Sequence, residues 1–222
     1  LLGVSLVVVP MFQLTPGYPG WVARAMAPAL IALLLAWSAL VFFPSPDSGA
    51  LMRMARLPAV ALLGAVALGF CLVTLGLQRR SRRPWGDPTQ RFWRLGLIDL
   101  ALAVVSWGAV EAGVNWPGEG GLVVWIGVLA LFGGFVPVIC GMLYKIVPFL
   151  IWLDLQNKGG GKVIPPNMKR LLPEAGMTRH LRAHQAALAA SLAAPLAPTW
   201  LGPLAGLLIL LAFGLLASNL LG

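Results

Sequence analysis

Apolar positions in this chain come in long unbroken runs, and the polar positions gather in short stretches between them. Barrel strands would alternate apolar and polar residues, so the runs predict helices facing lipid or one another. Seven segments follow. The first is partial, Leu1 to about Phe12, and the second runs from about Trp21 to Phe43. The third covers Leu57 to Leu77, the fourth about Phe92 to Val114, and the fifth Gly121 to about Leu153. The sixth is short, about His184 to Leu196, and the seventh runs from about Gly202 to Leu221. A span needs roughly 20 apolar residues. The sixth falls short of that, so a full crossing and a helix that does not cross both stay open. Only Ala197-Pro198-Thr199-Trp200-Leu201 separates it from the seventh, which predicts a tight helical hairpin. The fifth could form roughly 50 Å of helix at 1.5 Å per residue. It must tilt, kink near Pro137 or project beyond the bilayer.

Composition sharpens this picture. Hydrophobic residues make up 59% and charged residues 10% of the chain, where soluble domains carry about a quarter charged. The mean hydropathy is +0.87. The expected fold is all-α: a polytopic transmembrane bundle of about seven segments, residues 1–222 forming a single domain. No basic region precedes the apolar Leu1-Leu2-Gly3-Val4, so the start does not read as a signal peptide. It reads as the end of a helix, and the chain is expected to be a fragment of a longer one. Cys71 and Cys140 lie in apolar runs and read as packing residues.

The net charge of +9 would suit nucleic acid, but its placement does not. Arg79, Arg80, Arg82, Arg83, Arg91 and Arg94 follow the third segment, and Lys158, Lys162, Lys169, Arg170, Arg179 and Arg182 follow the fifth. The stretch Asn115 to Gly120 has no basic residue and carries Glu119. The positive-inside rule then places basic loops 78–94 and 156–182 in the cytoplasm, with 156–179 a basic loop of its own. Arg53 and Arg56 fall outside as a minor exception. Trp85, Trp93, Trp116, Trp152 and Trp200 sit at predicted interfaces. No basic face interleaved with aromatics is present, so the lipid bilayer and other membrane subunits are the expected partners, and nucleic acid is not. Gly159-Gly160-Gly161-Lys162 lacks the spacing and context of a phosphate loop and reads as a linker.

One short repetition stands out. Gly3-Val4-Ser5-Leu6-Val7-Val8-Val9-Pro10 resembles Gly141-Met142-Leu143-Tyr144-Lys145-Ile146-Val147-Pro148, and the two lie four helices apart. The matched segments would therefore cross in the same direction, as a parallel repeat requires.

Ionisable groups at membrane depth are costly and become functional candidates by default. Asp99 lies in the fourth segment near its cytoplasmic start, Lys145 in the fifth at similar depth, and Glu111 near the outer end of the fourth. An Asp99–Lys145 pair is expected, next to the plainer reading that Lys145 and Glu111 snorkel to the interfaces. Gly133, Gly134 and Pro137 in the fifth segment allow close helix approach or a broken helix lining a cavity. His180 and His184, the chain's two histidines, are spaced i, i+4 and share a helical face. That spacing can clamp a metal; the competing reading is a pair of solvated interfacial histidines. Met52 and Met54 have thioether spacing suited to Cu(I), or simply pack at an interface.

The stretch Gly141-Met142-Leu143-Tyr144-Lys145-Ile146-Val147-Pro148-Phe149-Leu150-Ile151-Trp152, with Val8-Val9-Pro10-Met11-Phe12-Gln13-Leu14-Thr15-Pro16, resembles haem–copper oxidase subunit I-like and NnrS-type proteins. The resemblance rests on these residues with helix number and loop charge in support. It implies a bundle of about a dozen spans in a bacterial inner membrane, of which this chain would be the C-terminal half. It also implies haem b or copper and a role in respiratory or nitric-oxide-related metabolism. Such proteins hold their metals by histidines on membrane helices. No predicted span interior here contains one, and Asp154 stands where one is expected by analogy. No ligand is carried over, and enzymatic activity stays open. A transporter or permease, and a non-catalytic scaffold subunit, are the alternatives.

Overall fold

The computed structural model describes residues 1–42, 49–82, 87–114, 121–158 and 172–221, with side chains described except at 49–55 and 121. Among the described residues the chain is helical, with no strand. In order come α1 (Leu2–Gln13), a π-helical turn (Val22–Met26), α2 (Ala27–Phe42) and α3 (Gly49–Arg79). Then follow α4 (Pro88–Glu111), α5 (Gly121–Gly127), a second π-helical stretch (Val128–Phe135) and α6 (Val136–Lys158). Last are α7 (Glu174–Ala193), a 3₁₀ turn (Ala194–Leu196) and α8 (Pro198–Leu221). Five helical stretches are long and apolar enough to cross a membrane: Val22–Phe42, Arg56–Arg79, Pro88–Glu111, Leu122–Lys158 and Pro198–Leu221. An all-α bundle of an integral membrane protein has this make-up. α7 is not among the five. Its polar residues Arg179, Arg182 and Gln185 account for that.

Local chemistry corrects two expected boundaries. The fourth helix begins at Pro88, not near Phe92, so Arg91 and Arg94 are helical residues rather than loop residues. Asp87 is the reason. Its Oδ1 accepts from the Thr89 backbone N–H at 3.0 Å and the Thr89 hydroxyl at 2.8 Å, and Pro88 follows at the first helical position. Both are standard helix-starting devices. The sixth segment begins at Glu174, ten residues earlier than its apolar run suggests, directly after Pro173.

The chain divides into two compact units, Leu1–Arg83 with Leu97–Ala130, and Pro84–Gly96 with Leu131–Gly222. In the first unit α1 and α2 both pack against α3. Gln78 Nε2 donates to Gln13 Oε1 at 3.0 Å, and the Tyr18 hydroxyl lies 2.9 Å from Thr74 Oγ1. The C-terminal carbonyls of α1 are capped from beyond α3: Ser81 Oγ donates to Gln13 O at 2.5 Å and the Arg82 N–H to Leu14 O at 3.2 Å. No α2 side chain is fully buried, so much of its apolar surface is left for lipid.

In the second unit α7 and α8 form the expected hairpin, and α6 packs against α8. Both units contain a lead helix followed by a helix pair whose second member packs on the leader. The leaders α1 and α6 contain the two halves of the sequence repetition, Gly3–Pro10 and Gly141–Pro148. The second unit's core is built on Phe92, Cys140, Tyr144, Leu172, Met177 and Leu181. Glycine sets how closely α4 and α6 meet there. A Cβ on Gly96 would stand 2.6 Å from Gly134 O and 2.7 Å from Val138 Cγ2, and one on Gly141 would stand 2.9 Å from Trp93 Cδ1.

Candidate functional site

The long fifth segment runs as one helix, Leu122–Lys158, and changes register within it. From Val128 to Phe135 the helix runs in the wider π register, in which each carbonyl accepts from the N–H five residues on. The fifth residue after Phe132 is Pro137, which has no N–H to give. The Phe132 carbonyl is thereby left to another donor, and His184 Nε2 supplies the hydrogen bond at 3.1 Å. A carbonyl can only accept, so His184 carries its proton on Nε2. Proline thus ends the π stretch and opens a place for one of the two histidines. The first π-helical turn ends the same way, because Pro28 stands five residues beyond Ala23.

One turn back along α7, His180 Nδ1 lies 2.8 Å from the Tyr144 hydroxyl. Asn219 Nδ2, near the end of α8, donates to that same hydroxyl at 2.9 Å. Tyr144, His180, His184 and Asn219 therefore come from α6, α7 and α8 into one buried polar cluster. Both imidazoles are only 1% exposed. Aromatic rings wall them in: Phe92 lies 5.0 Å from His180 and Phe132 4.4 Å from His184, centroid to centroid. The reading of the histidines as solvated is therefore corrected, and they do lie within a helix. The expectation that they share a face holds, with their ring centroids 6.3 Å apart.

The charged candidates are placed as follows. Lys145 Nζ is 3.1 Å from Asp87 Oδ2, a residue the sequence pattern had not singled out. Asp87 so serves twice, capping α4 through one oxygen and holding α6 through the other. Asp99 belongs to the first unit, where it is 6% exposed and its Oδ2 is buried with no hydrogen-bond partner among the described residues. Glu111, also in the first unit, pairs with Arg56 at 3.1 Å, so Arg56 has a reason to be where it is. Asp154 pairs on the surface with Lys158. The side chains of Met52 and Met54, and the residues Trp85, Trp116, Glu119 and 159–171, lie outside those described.

Among the described residues, no group of three or more His, Cys, Asp or Glu is placed to hold a metal ion. Comparison with family models, with curated proteins and with solved structures returns no match.

Proposed function

We propose that the chain is part of an integral membrane protein of respiratory type, similar to haem–copper oxidase-like and NnrS-type proteins, and active in respiratory or nitric-oxide-related metabolism. One observation carries this reading. The stretch on which the resemblance rests, Gly141–Trp152, also builds the buried site: Gly141 admits α4, Tyr144 meets His180 and Lys145 meets Asp87. In this reading the membrane is a bacterial inner membrane. The basic segments 78–94 and 156–182 face the cytoplasm, lipid covers the apolar faces, and other membrane subunits complete the assembly.

Haem b does not fit the histidine pair itself. Two axial imidazoles must approach a porphyrin from opposite faces, whereas His180 and His184 project from one face of one helix, 6.3 Å apart. The pair also lacks the further ligands of a copper centre among the described residues. Ligands for a redox group would come from other residues of the assembly, and the described bundle would position and insulate. The purified full-length protein is expected to give a haem band in a reduced-minus-oxidised spectrum, or stoichiometric copper by metal analysis. A blank in both overturns the reading.

A second reading, transport, draws on a different observation: the buried Asp99 carboxyl with a partnerless oxygen. An ionisable group at membrane depth is costly and is by default a functional candidate, here for a proton or cation pathway. Asp99→Asn is then expected to abolish proton-coupled flux into proteoliposomes while the protein still inserts and folds. Undiminished flux removes Asp99 from any pathway.

A further inference from the structure

α7 and α8 turn two different faces outward at the same depth. The pair is antiparallel. The 3₁₀ turn Ala194–Leu196 joins the helices at one end, and at the other Asn219 Oδ1 lies 2.6 Å from where a Cβ on Gly176 would stand. Counting inward from Gly176 and Asn219 sets Arg182 level with Phe213, Gln185 with Leu210 and Ala189 with Gly206. α8 is long and apolar enough to cross a membrane, and it leaves Leu204, Leu207, Leu210 and Leu211 between 45% and 70% exposed. Such side chains suit lipid. Along the same stretch α7 exposes Arg179, Arg182, Gln185, Ala186 and Ala189 instead.

Depth decides what can cover that face. The middle of α8 falls between Ile209 and Leu210. At 1.5 Å per residue Arg182 stands about 5 Å from that middle. The hydrocarbon core is about 30 Å thick, so its edge is about 10 Å further on. Arg179, nearly one turn closer to the helix end, can lay its stem along α7 and reach the interface. The stem of Arg182 is too short for that, and Gln185 stands at the middle with a shorter side chain still. Among the described residues no hydrogen bond or ion pair reaches either of them. A charge left at this depth against lipid is costly. Ala186 and Ala189, one turn further along the same face, give a neighbouring helix room to come close.

The described acids of this chain are engaged elsewhere. Asp87, Glu111 and Asp154 pair with Lys145, Arg56 and Lys158, Asp99 is buried, and Glu174 opens α7 itself. A second copy would bring the same engaged acids. We infer that the outward face of α7 docks a membrane-spanning helix of another subunit, which brings an Asp or Glu carboxylate to Arg182 and a hydrogen-bonding group to Gln185. The inference rests on the membrane placement and the further subunits proposed above, and on no redox group. A haem or copper signal can appear with or without this interface, so the two readings fail separately.

The test replaces Ala189 with the photocrosslinker p-benzoylphenylalanine in the full-length protein, in the membranes of the cells that make it. Leu207, at nearly the same depth on α8, is the reference position. Position 207 is expected to give phospholipid adducts, and position 189 a discrete polypeptide adduct. Arg182→Glu is expected to abolish the polypeptide adduct, and Arg182→Lys to keep most of it. An unchanged adduct pattern at position 207 reports that each variant has folded. Should Arg182→Glu not fold, Arg182→Gln reads the same dependence on charge. A phospholipid adduct or none at position 189, or a polypeptide adduct indifferent to loss of the Arg182 charge, overturns the inference.

Discussion

Gly96→Ala is expected to destabilise the second unit strongly. The new Cβ would stand 2.6 Å from the Gly134 carbonyl oxygen and 2.7 Å from Val138 Cγ2. A flexible side-chain end could swing aside, but the first obstacle is backbone. Overpacking of a close interface costs about 1–3 kcal/mol, and a clash with backbone belongs at the upper end of that range. α4 would have to move away from α6, loosening the Phe92 wall around His180. The check is thermal unfolding in detergent, with Gly108→Ala as control, since a Cβ there meets nothing within 4 Å. An equal melting temperature for the two variants would show that the approach of α4 to α6 is not what glycine secures.

The second large effect concerns Lys145 and Asp87, whose side chains are 21% and 12% exposed. Lys145→Ala leaves a shielded carboxylate without this cation. Breaking a fully buried pair costs about 3–5 kcal/mol, and partial exposure brings the expectation down to about 2–3 kcal/mol. Asp87→Asn is expected to be milder than Asp87→Ala. The amide keeps an oxygen for the Thr89 N–H, so the cap on α4 survives while the charge is lost. In the Asp87→Asn background, Lys145→Ala should cost clearly less than in the unaltered protein. Strict additivity in that double-mutant cycle would show that the two residues do not act as a pair.

The parts of this fold that follow from counting were legible in the sequence. Unbroken apolar runs locate α2, α3, α4, the long fifth stretch and α8, because only a helix can satisfy a backbone placed in lipid. Pro137 marked one of three ways the long fifth segment could be accommodated, and the π stretch ends beside it. The start of α4 was legible too, in Asp87-Pro88, but apolar runs alone place it four residues late because its first turn is polar. α7 was harder. Its stretch from Arg179 to His184, with Arg179, His180, Arg182 and His184, looks like a solvated loop until α6 and α8 cover one side of it. The burial of the histidines was therefore invisible to local pattern. Tyr144 and Asn219 are 75 residues apart, and no spacing rule links them. Tyr144 could have been noticed as one of the two tyrosines in the chain, sitting beside a candidate lysine in an otherwise apolar run.

The π stretch has a consequence for how this chain should be compared with others. A wider turn accommodates an additional residue relative to an uninterrupted α-helix, and each residue turns a helix by about 100°. The face that Tyr144 presents to His180 is thus set by how many residues lie between Gly127 and Val136. A homologue with a plain α-helix here will show the same residues in phase only if a one-position gap is opened within 128–135. Without that gap its tyrosine would be scored as missing, although the side chain occupies the same place in space.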